Sequence, residues 1–269
     1  MTAPRESAFS DVDASIRTGR SDPRRLIEYL DETDAGLAAI KGYIAAAIAR
    51  AVPGGVVIDL GCGAGHDLSR LAAAGLHPIG VDHSAVMLDH TRRRAASVPP
   101  ALVRADGERL PLGDASVDAV RVERVLEHVD DPAAVVHEIA RVVRPDGTVA
   151  VFEPDLDTFT VDTDSDDPRC RDLPRSGLRV RHPAIGRLVP GLLEGSGFRV
   201  DDIVTESSFG YSVDTLPIAA DAFLARAVET GHVSAAAATE WLAEQRARTA
   251  ARTFRARWEK VLTVATRVA

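Results

Sequence analysis

Two spacings of apolar residues alternate along the first half of the chain. Leu26, Ile27 and Leu30, then Leu37, Ile40, Ile44 and Ile48, recur at three- and four-residue intervals. That spacing puts them on one face of a helix. Two leading helices are therefore predicted, the first opened by Asp22 and Pro23 and the second closed by Pro53 and Gly54. From Val56 the pattern changes to short apolar runs bounded by turn residues, the mark of buried strands. Strands are predicted at Val56–Leu60, about Pro78–Val81, about Ala101–Arg104, about Val117–Val122 and Thr148–Phe152.

Helical segments separate these runs. One carries Leu68, Leu71 and Ala72 and stops at Gly75; another runs from a Ser84 cap to Arg94. A third begins at Asp131-Pro132, buries Val135, Val136, Ile139, Val142 and Val143, and ends at Pro145-Asp146-Gly147. Strand and helix in strict alternation predict an α/β fold with a parallel sheet. The second half is less regular. Asp162, Asp164, Asp166 and Asp167 crowd a stretch with Pro168, Pro174 and Gly177, which reads as a loop over Asp155–Arg181. Beyond it come a helix kinked near Pro190, a strand at about Phe198–Glu206, helices at about Leu216–Glu229 and from Ser234, and a closing strand at about Trp258–Val268.

Composition narrows the function classes. The 269 residues are 45% apolar and carry a net charge of −8, which argues against a nucleic-acid partner because phosphate contacts need clustered cations. Arg246, Arg248, Arg252, Arg255, Arg257 and Lys260 do cluster, and the simplest reading is the solvated face of a helix. Cys62 and Cys170 are the only cysteines, and Cys62 lies within a glycine-rich turn. Reduced thiols and a cytoplasmic protein are expected. No apolar signal core precedes Arg17, and no membrane span is expected, since Lys41, Arg50 and Pro53-Gly54-Gly55 interrupt the longest apolar stretch.

The candidate chemistry starts at Val56-Val57-Ile58-Asp59-Leu60-Gly61-Cys62-Gly63-Ala64-Gly65-His66. A strand, a turn rich in glycine and a helix N-terminus together offer a close main-chain approach and open amide donors. The glycines fall as GxGxG, with His66 where a dinucleotide fingerprint has a small residue. Asp59 would repel a pyrophosphate but suits a cationic ligand. S-adenosylmethionine, with its sulfonium and ammonium, is such a ligand.

This stretch resembles the first motif of class I S-adenosylmethionine-dependent methyltransferases, in particular a small-molecule, type 11-like branch. Two further segments resemble the family in order and at proper intervals: Ile79-Gly80-Val81-Asp82-His83-Ser84-Ala85-Val86-Met87-Leu88 and Ala105-Asp106-Gly107-Glu108-Arg109-Leu110-Pro111-Leu112. The resemblance implies a Rossmann-like, doubly wound sheet of seven strands in the order 3-2-1-4-5-7-6, the last strand antiparallel. It implies a helical lid over residues 1–50 and a methyltransferase domain over 51–269 with a cap or loop insert at about 155–197.

For the cofactor S-adenosyl-L-methionine it implies Asp59, Gly61, Cys62, Gly63 and Gly65 at the first motif, and Asp82, with His83 and Met87, at ribose and adenine. Asp106, Gly107 and Glu108 fall at the adenine, and Glu123 near the sulfonium. His128 is the first candidate for a catalytic base, with Asp157 and His182 behind it. Tyr29 and Tyr43 are candidates for the pocket or for plain packing. The expected reaction is methyl transfer to a small-molecule acceptor of secondary metabolism. A rearrangement or cyclisation on the same scaffold, and a regulatory S-adenosylmethionine-binding protein, stay open, as does a homodimer. No metal is expected.

Overall fold

The computed structural model describes residue 27 and residues 30–31, 34–94, 101–176, 180–216 and 220–268. Among the described residues seven strands are present: β1 Val56–Leu60, β2 His77–Asp82, β3 Ala101–Arg104, β4 Val117–Glu123, β5 Val143–Val161, β6 Phe198–Gly210 and β7 Ala256–Arg267. They form one sheet in the order β3-β2-β1-β4-β5-β7-β6, which is the expected order. The ladders from β3 through β5 are parallel. β7 runs against β5: Thr148 Oγ1 donates to the Ala265 carbonyl, whereas Asp162 N donates to the Arg255 carbonyl.

The helices include α1 Ala38–Ala51, α2 His66–Ala73, α3 Ala85–Arg94, α4 Pro132–Val142, α5 Pro168–Ser176, α6 Ile185–Gly195, α7 Ala220–Glu229 and α8 Ala235–Ala250. Some of them start at side chains that cap them. Asp131 accepts from Ala133 N and Ala134 N, with Pro132 in the first turn. Ser234 accepts from Ala237 N. Such caps each stabilise a helix by about 1 kcal/mol.

The chain divides into two compact units, residues 1–153 with 188–203 and 262–269, and residues 154–187 with 204–261. The first has its core on the parallel strands, where Val57, Ile58, Val81, Val120, Val122, Val149 and Val151 are fully buried. Each such side chain contributes about 1.5–3 kcal/mol of transfer free energy. The second unit has its own core of Phe159, Cys170, Leu173, Phe223, Trp241, Phe254 and Trp258. Phe159 meets Trp258, and Phe223 meets Trp241, edge to face. Both cysteines are free and buried.

The fifth strand corrects the sequence reading in two places. Pro145-Asp146-Gly147 does not delay the strand to Thr148. Val117 pairs with Val143 and Ala119 with Thr148, so residues 144–147 bulge out of the ladder, with Asp146 at φ 62°. At the other end the strand runs on through Val161, and α5 occupies residues that read as loop. Buried Phe159 and Val161 hold the extension in place, and the interspersed aspartates concealed their strand character. The last two helices and β6 fall within a few residues of their predicted limits, residues 213–215 forming a 3₁₀ turn before α7. Tyr29 lies outside the described residues.

Candidate active site

The carboxyl ends of β1, β2 and β4 carry the residues singled out from sequence. The turn after β1 needs its glycines for two reasons. Gly61, Gly63 and Gly65 sit at φ 70°, 49° and 78°, where L side chains are strained. A Cβ on Gly61 would also lie 2.3 Å from Val125 Cγ2, and one on Gly65 2.4 Å from Thr91 Cγ2. Gly63 is different: a Cβ there would make only an ordinary van der Waals contact, with Leu30 Cδ1 at 3.7 Å, so its φ rather than crowding calls for glycine.

Main-chain bonds pin the turn to β2. Gly61 N and Cys62 N both donate to the Val81 carbonyl, at 2.8 and 3.0 Å, and Thr91 Oγ1 donates to the Gly63 carbonyl at 2.8 Å. Asp82 joins the two motifs. Its Oδ2 accepts from Gly63 N at 2.9 Å and its Oδ1 from Ser84 N at 2.8 Å. His83 Nδ1 lies 3.4 Å from Asp82 Oδ1, and Met87 is buried on α3. Burial, with Asp59 and Asp82 nearby, raises the Cys62 thiol far out of the reactive range. His66 faces Asp31, 2.8 Å from its Nε2, and burial beside Arg94 lowers its proton affinity.

Asp106, Gly107 and Glu108 form a tight turn after β3. Asp106 Oδ1 accepts from Glu108 N at 3.1 Å, and Glu108 Oε1 accepts from Asp131 N at 3.3 Å. Burial, opposed by the Asp131 amide, raises the Glu108 carboxyl, and the Asp106 charge adds to this. Arg141 on α4 secures the segment that follows, donating to the Leu112 and Leu110 carbonyls and to Asp114. Sequence reading missed Arg141.

It also missed a buried ion cluster, and this changes the surroundings of Asp59 and Glu123. Arg121, within β4, donates to Asp59 Oδ1 at 2.7 Å, lies 2.9 Å from Asp67 Oδ2, and bonds Glu123. Lys41 of α1 lies 2.9 Å from Asp67, 3.0 Å from Asp34 and 3.1 Å from Glu123. Arg70 joins Asp34 and Asp67. Four acids (Asp34, Asp59, Asp67, Glu123) thus face four cations (Lys41, Arg70, Arg121, Arg124), and the charges balance.

Burial pushes Asp59 up to about 6 although Arg121 pulls the other way. Burial also opposes the Arg121 cation, yet the three acids hold its affinity for protons well above the ordinary guanidinium value. Asp59 Oδ2 has no hydrogen-bond partner among the described residues. The sequence signal was a lone cation in an apolar run, Arg121 between Val120 and Val122, and Lys41 on the apolar helix face.

A second acidic group lies after β4. Glu153, at the end of the parallel part of β5, is wholly buried. Its Oε1 accepts from Val125 N at 2.8 Å and Leu126 N at 2.9 Å, and the carboxyl also receives the Glu127 amide. Burial and then the Glu127 charge push Glu153 up to about 8. Burial pushes Glu127 up to about 7, against the pull of Arg124. His128 Nε2 lies 3.5 Å from Glu127 Oε1, with 41% of the ring exposed. Burial and the Arg124 cation lower its imidazole to about 4.

The other candidates make contacts of their own. Tyr43 donates to Asp202 at 3.0 Å with an exposed ring. The Asp157 carboxylate accepts from Arg187 at 2.5 Å, and His182 offers its carbonyl to Ile185 N.

Known proteins resemble the chain. A family model described as a methyltransferase domain matches residues 58–151. An uncharacterized 37.1 kDa protein in transposon TN4556 of Streptomyces fradiae is 37% identical over 231 residues, 80% of this chain and 65% of that protein. A protein of Mycolicibacterium smegmatis named as a probable S-adenosylmethionine-dependent methyltransferase is 34% identical over 146 residues, 54% of this chain and 52% of that one. A demethylmenaquinone methyltransferase of Corynebacterium kroppenstedtii is 41% identical over 101 residues, 38% of this chain and 42% of that one. The chain thus spans less than two thirds of the length of these relatives. Among solved structures, the YcgJ protein of Bacillus subtilis superposes with a TM-score of 0.59 at 16% identity, over 86% of this chain and 99% of that one. An S-adenosylmethionine-dependent methyltransferase of Mesorhizobium loti superposes with a TM-score of 0.50 at 19% identity, over 82% and 96% of the two chains.

Proposed function

We propose that the chain is a class I S-adenosylmethionine-dependent methyltransferase and that it transfers a methyl group to a small organic acceptor, a reading supported by the match of residues 58–151 to a methyltransferase domain and by the similarity to a probable S-adenosylmethionine-dependent methyltransferase. One observation carries the reading: the glycine turn is bordered by two buried carboxylates, Asp82 bonded to Gly63 N and Asp59, whose Oδ2 has no hydrogen-bond partner among the described residues. A phosphate ligand would meet repulsion there, whereas a cationic nucleoside is favoured.

The residues present fit S-adenosylmethionine. Gly63, at φ 49°, keeps the main chain of the turn bare of a side chain, and the orphaned Asp59 Oδ2 marks an acceptor in want of a donor. In this reading Gly61, Cys62, Gly63 and Gly65 cradle the methionine part, with Asp59 and Glu123 supplying the negative field. Asp82, His83 and Met87 serve the ribose and adenine, and Asp106, Gly107 and Glu108 the adenine edge. Residues 1–50 act as a lid, an idea supported by Lys41, which ties α1 to Asp67 and Glu123.

When bound, the cofactor supplies a methyl group already activated by its sulfonium. The protein therefore has to align the acceptor with that carbon and exclude water. An acceptor that carries a hydroxyl must also lose a proton, and in this reading His128, whose imidazole burial and Arg124 hold neutral at pH 7, takes it. A small acceptor agrees with the acidic charge balance and with the demethylmenaquinone methyltransferase relatives. Among the described residues no helix is long and apolar enough to cross a membrane.

The test has two steps. Calorimetry with S-adenosylhomocysteine should show binding. Incubation with S-adenosylmethionine and a panel of phenols, hydroquinones and carboxylates should then release S-adenosylhomocysteine with a methylated product. Binding without release across the whole panel overturns the transfer reading, and absence of binding overturns the site itself.

A further inference from the structure

We propose that the second compact unit holds a binding site for a small, neutral, planar cyclic amide, recognised by the side chains of Trp241 and Gln245. The inference concerns that unit alone and stands apart from the methyl-transfer reading. Both residues belong to α8, and their spacing of i and i+4 puts them on one face, a turn apart. Gln245 is fully buried and Trp241 is 2% exposed. Yet neither Nε2 nor Oε1 of Gln245, nor Nε1 of Trp241, has a hydrogen-bond partner among the described residues. Folded interiors match such atoms with protein, water or ligand, so orphaned atoms on adjacent turns of one helix face mark a place where a matching molecule is accepted.

The shortage is local to these two side chains. Ser234 caps the start of α8. One turn beyond Gln245, Thr249 Oγ1 accepts from Val213 N at 3.1 Å and donates to the Gln245 main-chain carbonyl at 2.9 Å. The charged residues beside Gln245 are engaged with other groups. Arg248 lies 2.9 Å from Glu244 and 2.5 Å from Asp164. Glu244 also accepts from Thr163 Oγ1 and Asp164 N, at 2.8 and 2.7 Å. The core around Trp241 is apolar: Phe223 meets its ring edge to face at 5.7 Å, and Leu173, Ala227 and Ala238 share the same cluster.

The pattern of orphaned atoms defines the ligand. A side-chain amide presents an N–H donor and a carbonyl acceptor side by side in one plane. Its complement is a carbonyl next to an N–H in one plane, the edge of a lactam ring; the same amide reads a heteroaromatic base edge in this bidentate way. The indole N–H supplies a further donor, for the second lone pair of the ligand carbonyl. Aromatic and apolar neighbours suit a flat ring. An ion would be buried without a counter-charge, because Arg248 and Glu244 are already paired, and that is costly. Water offers donors and acceptors too, so the test must separate it from a lactam.

Calorimetry and thermal melting of the full chain make that separation. The probes are 2-pyridone, its benzo-fused relative 2-quinolone, and N-methyl-2-quinolone, which keeps the carbonyl and lacks the N–H. At least one of the two lactams should bind and raise the melting temperature, and N-methyl-2-quinolone should bind about tenfold or more weaker than 2-quinolone. Gln245→Met replaces the orphaned amide by an unbranched apolar chain of similar length. It should melt no lower than the wild type without ligand, and lactam affinity should fall about tenfold or more. Trp241→Phe, which keeps a ring and loses the N–H, should weaken binding as well.

Absence of heat with both lactams overturns the site. Equal affinity for 2-quinolone and its N-methyl relative also overturns it, since the amide edge would then not be read. A Gln245→Met variant that melts several degrees below the wild type would show an amide already matched, by ordered water only, and refutes the proposal as well. Unchanged affinity in Trp241→Phe removes the indole from the site. The comparison of the two quinolones is made on the wild-type chain, so it decides the matter even where a variant fails to fold. None of these readouts requires methyl transfer, so failure here and failure of the transfer reading are told apart.

Discussion

Replacing Arg121 by Met removes the cation at the centre of the buried cluster and leaves a side chain of similar reach. The size of the effect follows from what each partner has left. Asp67 keeps Lys41 at 2.9 Å and Arg70 at 3.0 Å, and Glu123 keeps Lys41 at 3.1 Å. Asp59 keeps nothing: Arg121 is its ion-pair partner among the described residues, and its second oxygen is already unbonded. Breaking a buried pair on one side costs about 3–5 kcal/mol, a large part of the roughly 5–15 kcal/mol that holds a domain folded.

The loss should depend on pH, and its sign is fixed. Asp59 has a folded value of about 6, above its unfolded value. Its contribution to stability is present below the unfolded value, about 3.9, and is lost as pH rises through 6. Without Arg121 the folded value rises further, so the variant's deficit should grow between pH 6 and 8 and shrink toward pH 5. Urea unfolding followed by far-UV circular dichroism at pH 5, 7 and 8 measures it. Adding Asp59→Asn to the variant should recover much of the loss at pH 8. A deficit below about 1 kcal/mol at pH 8, or one independent of pH, would refute the reasoning, because a well-screened pair behaves that way.

That cluster also shows where sequence reading stops. The order of strands, the glycine turn and the caps at Asp131 and Ser234 were legible because each depends on local chemistry: apolar runs, permissive φ and side-chain acceptors. What Asp59 and Glu123 touch was not legible. It depends on Arg121, two strand residues before Glu123, and on Lys41, which comes from α1. Pairing across β1, β4 and two helices leaves no regular interval in the chain. Glu153 was hidden for a related reason. Read locally it ends a predicted strand, and only the folded turn shows its oxygen collecting the amides of residues 125–127. The extension of β5 was obscured by Asp155 and Asp157. Their charges read as loop, but both carboxylates are taken up by Arg187.

Three further outcomes check other parts of the structure. Gly65→Ala should destabilise the fold by about 2 kcal/mol or more, combining a left-handed alanine with a Cβ 2.4 Å from Thr91 Cγ2. Thermal melting should show part of that loss restored by Thr91→Ala, and an unchanged melting temperature would contradict it. Arg187→Met leaves buried Asp155 without the guanidinium that holds both its oxygens at 2.6 and 2.8 Å. Since Arg187 is half exposed, the expected loss by urea unfolding is about 1–2 kcal/mol, and a variant as stable as the wild type would show that solvent replaces the pair. Asp82 is the residue on which the two-motif reading turns, because it serves the turn through Gly63 N and the next helix through Ser84 N. If it did no more than this, Asp82→Asn, which keeps one acceptor oxygen, would lose stability and leave ligand affinity nearly intact. If it also accepts from the ribose hydroxyls, calorimetry should show S-adenosylhomocysteine binding weakened about tenfold or more, about 1.4 kcal/mol, in protein whose circular dichroism is unchanged. A Kd within about twofold of the wild type would leave Asp82 as a brace for the glycine turn and assign the ribose to other groups.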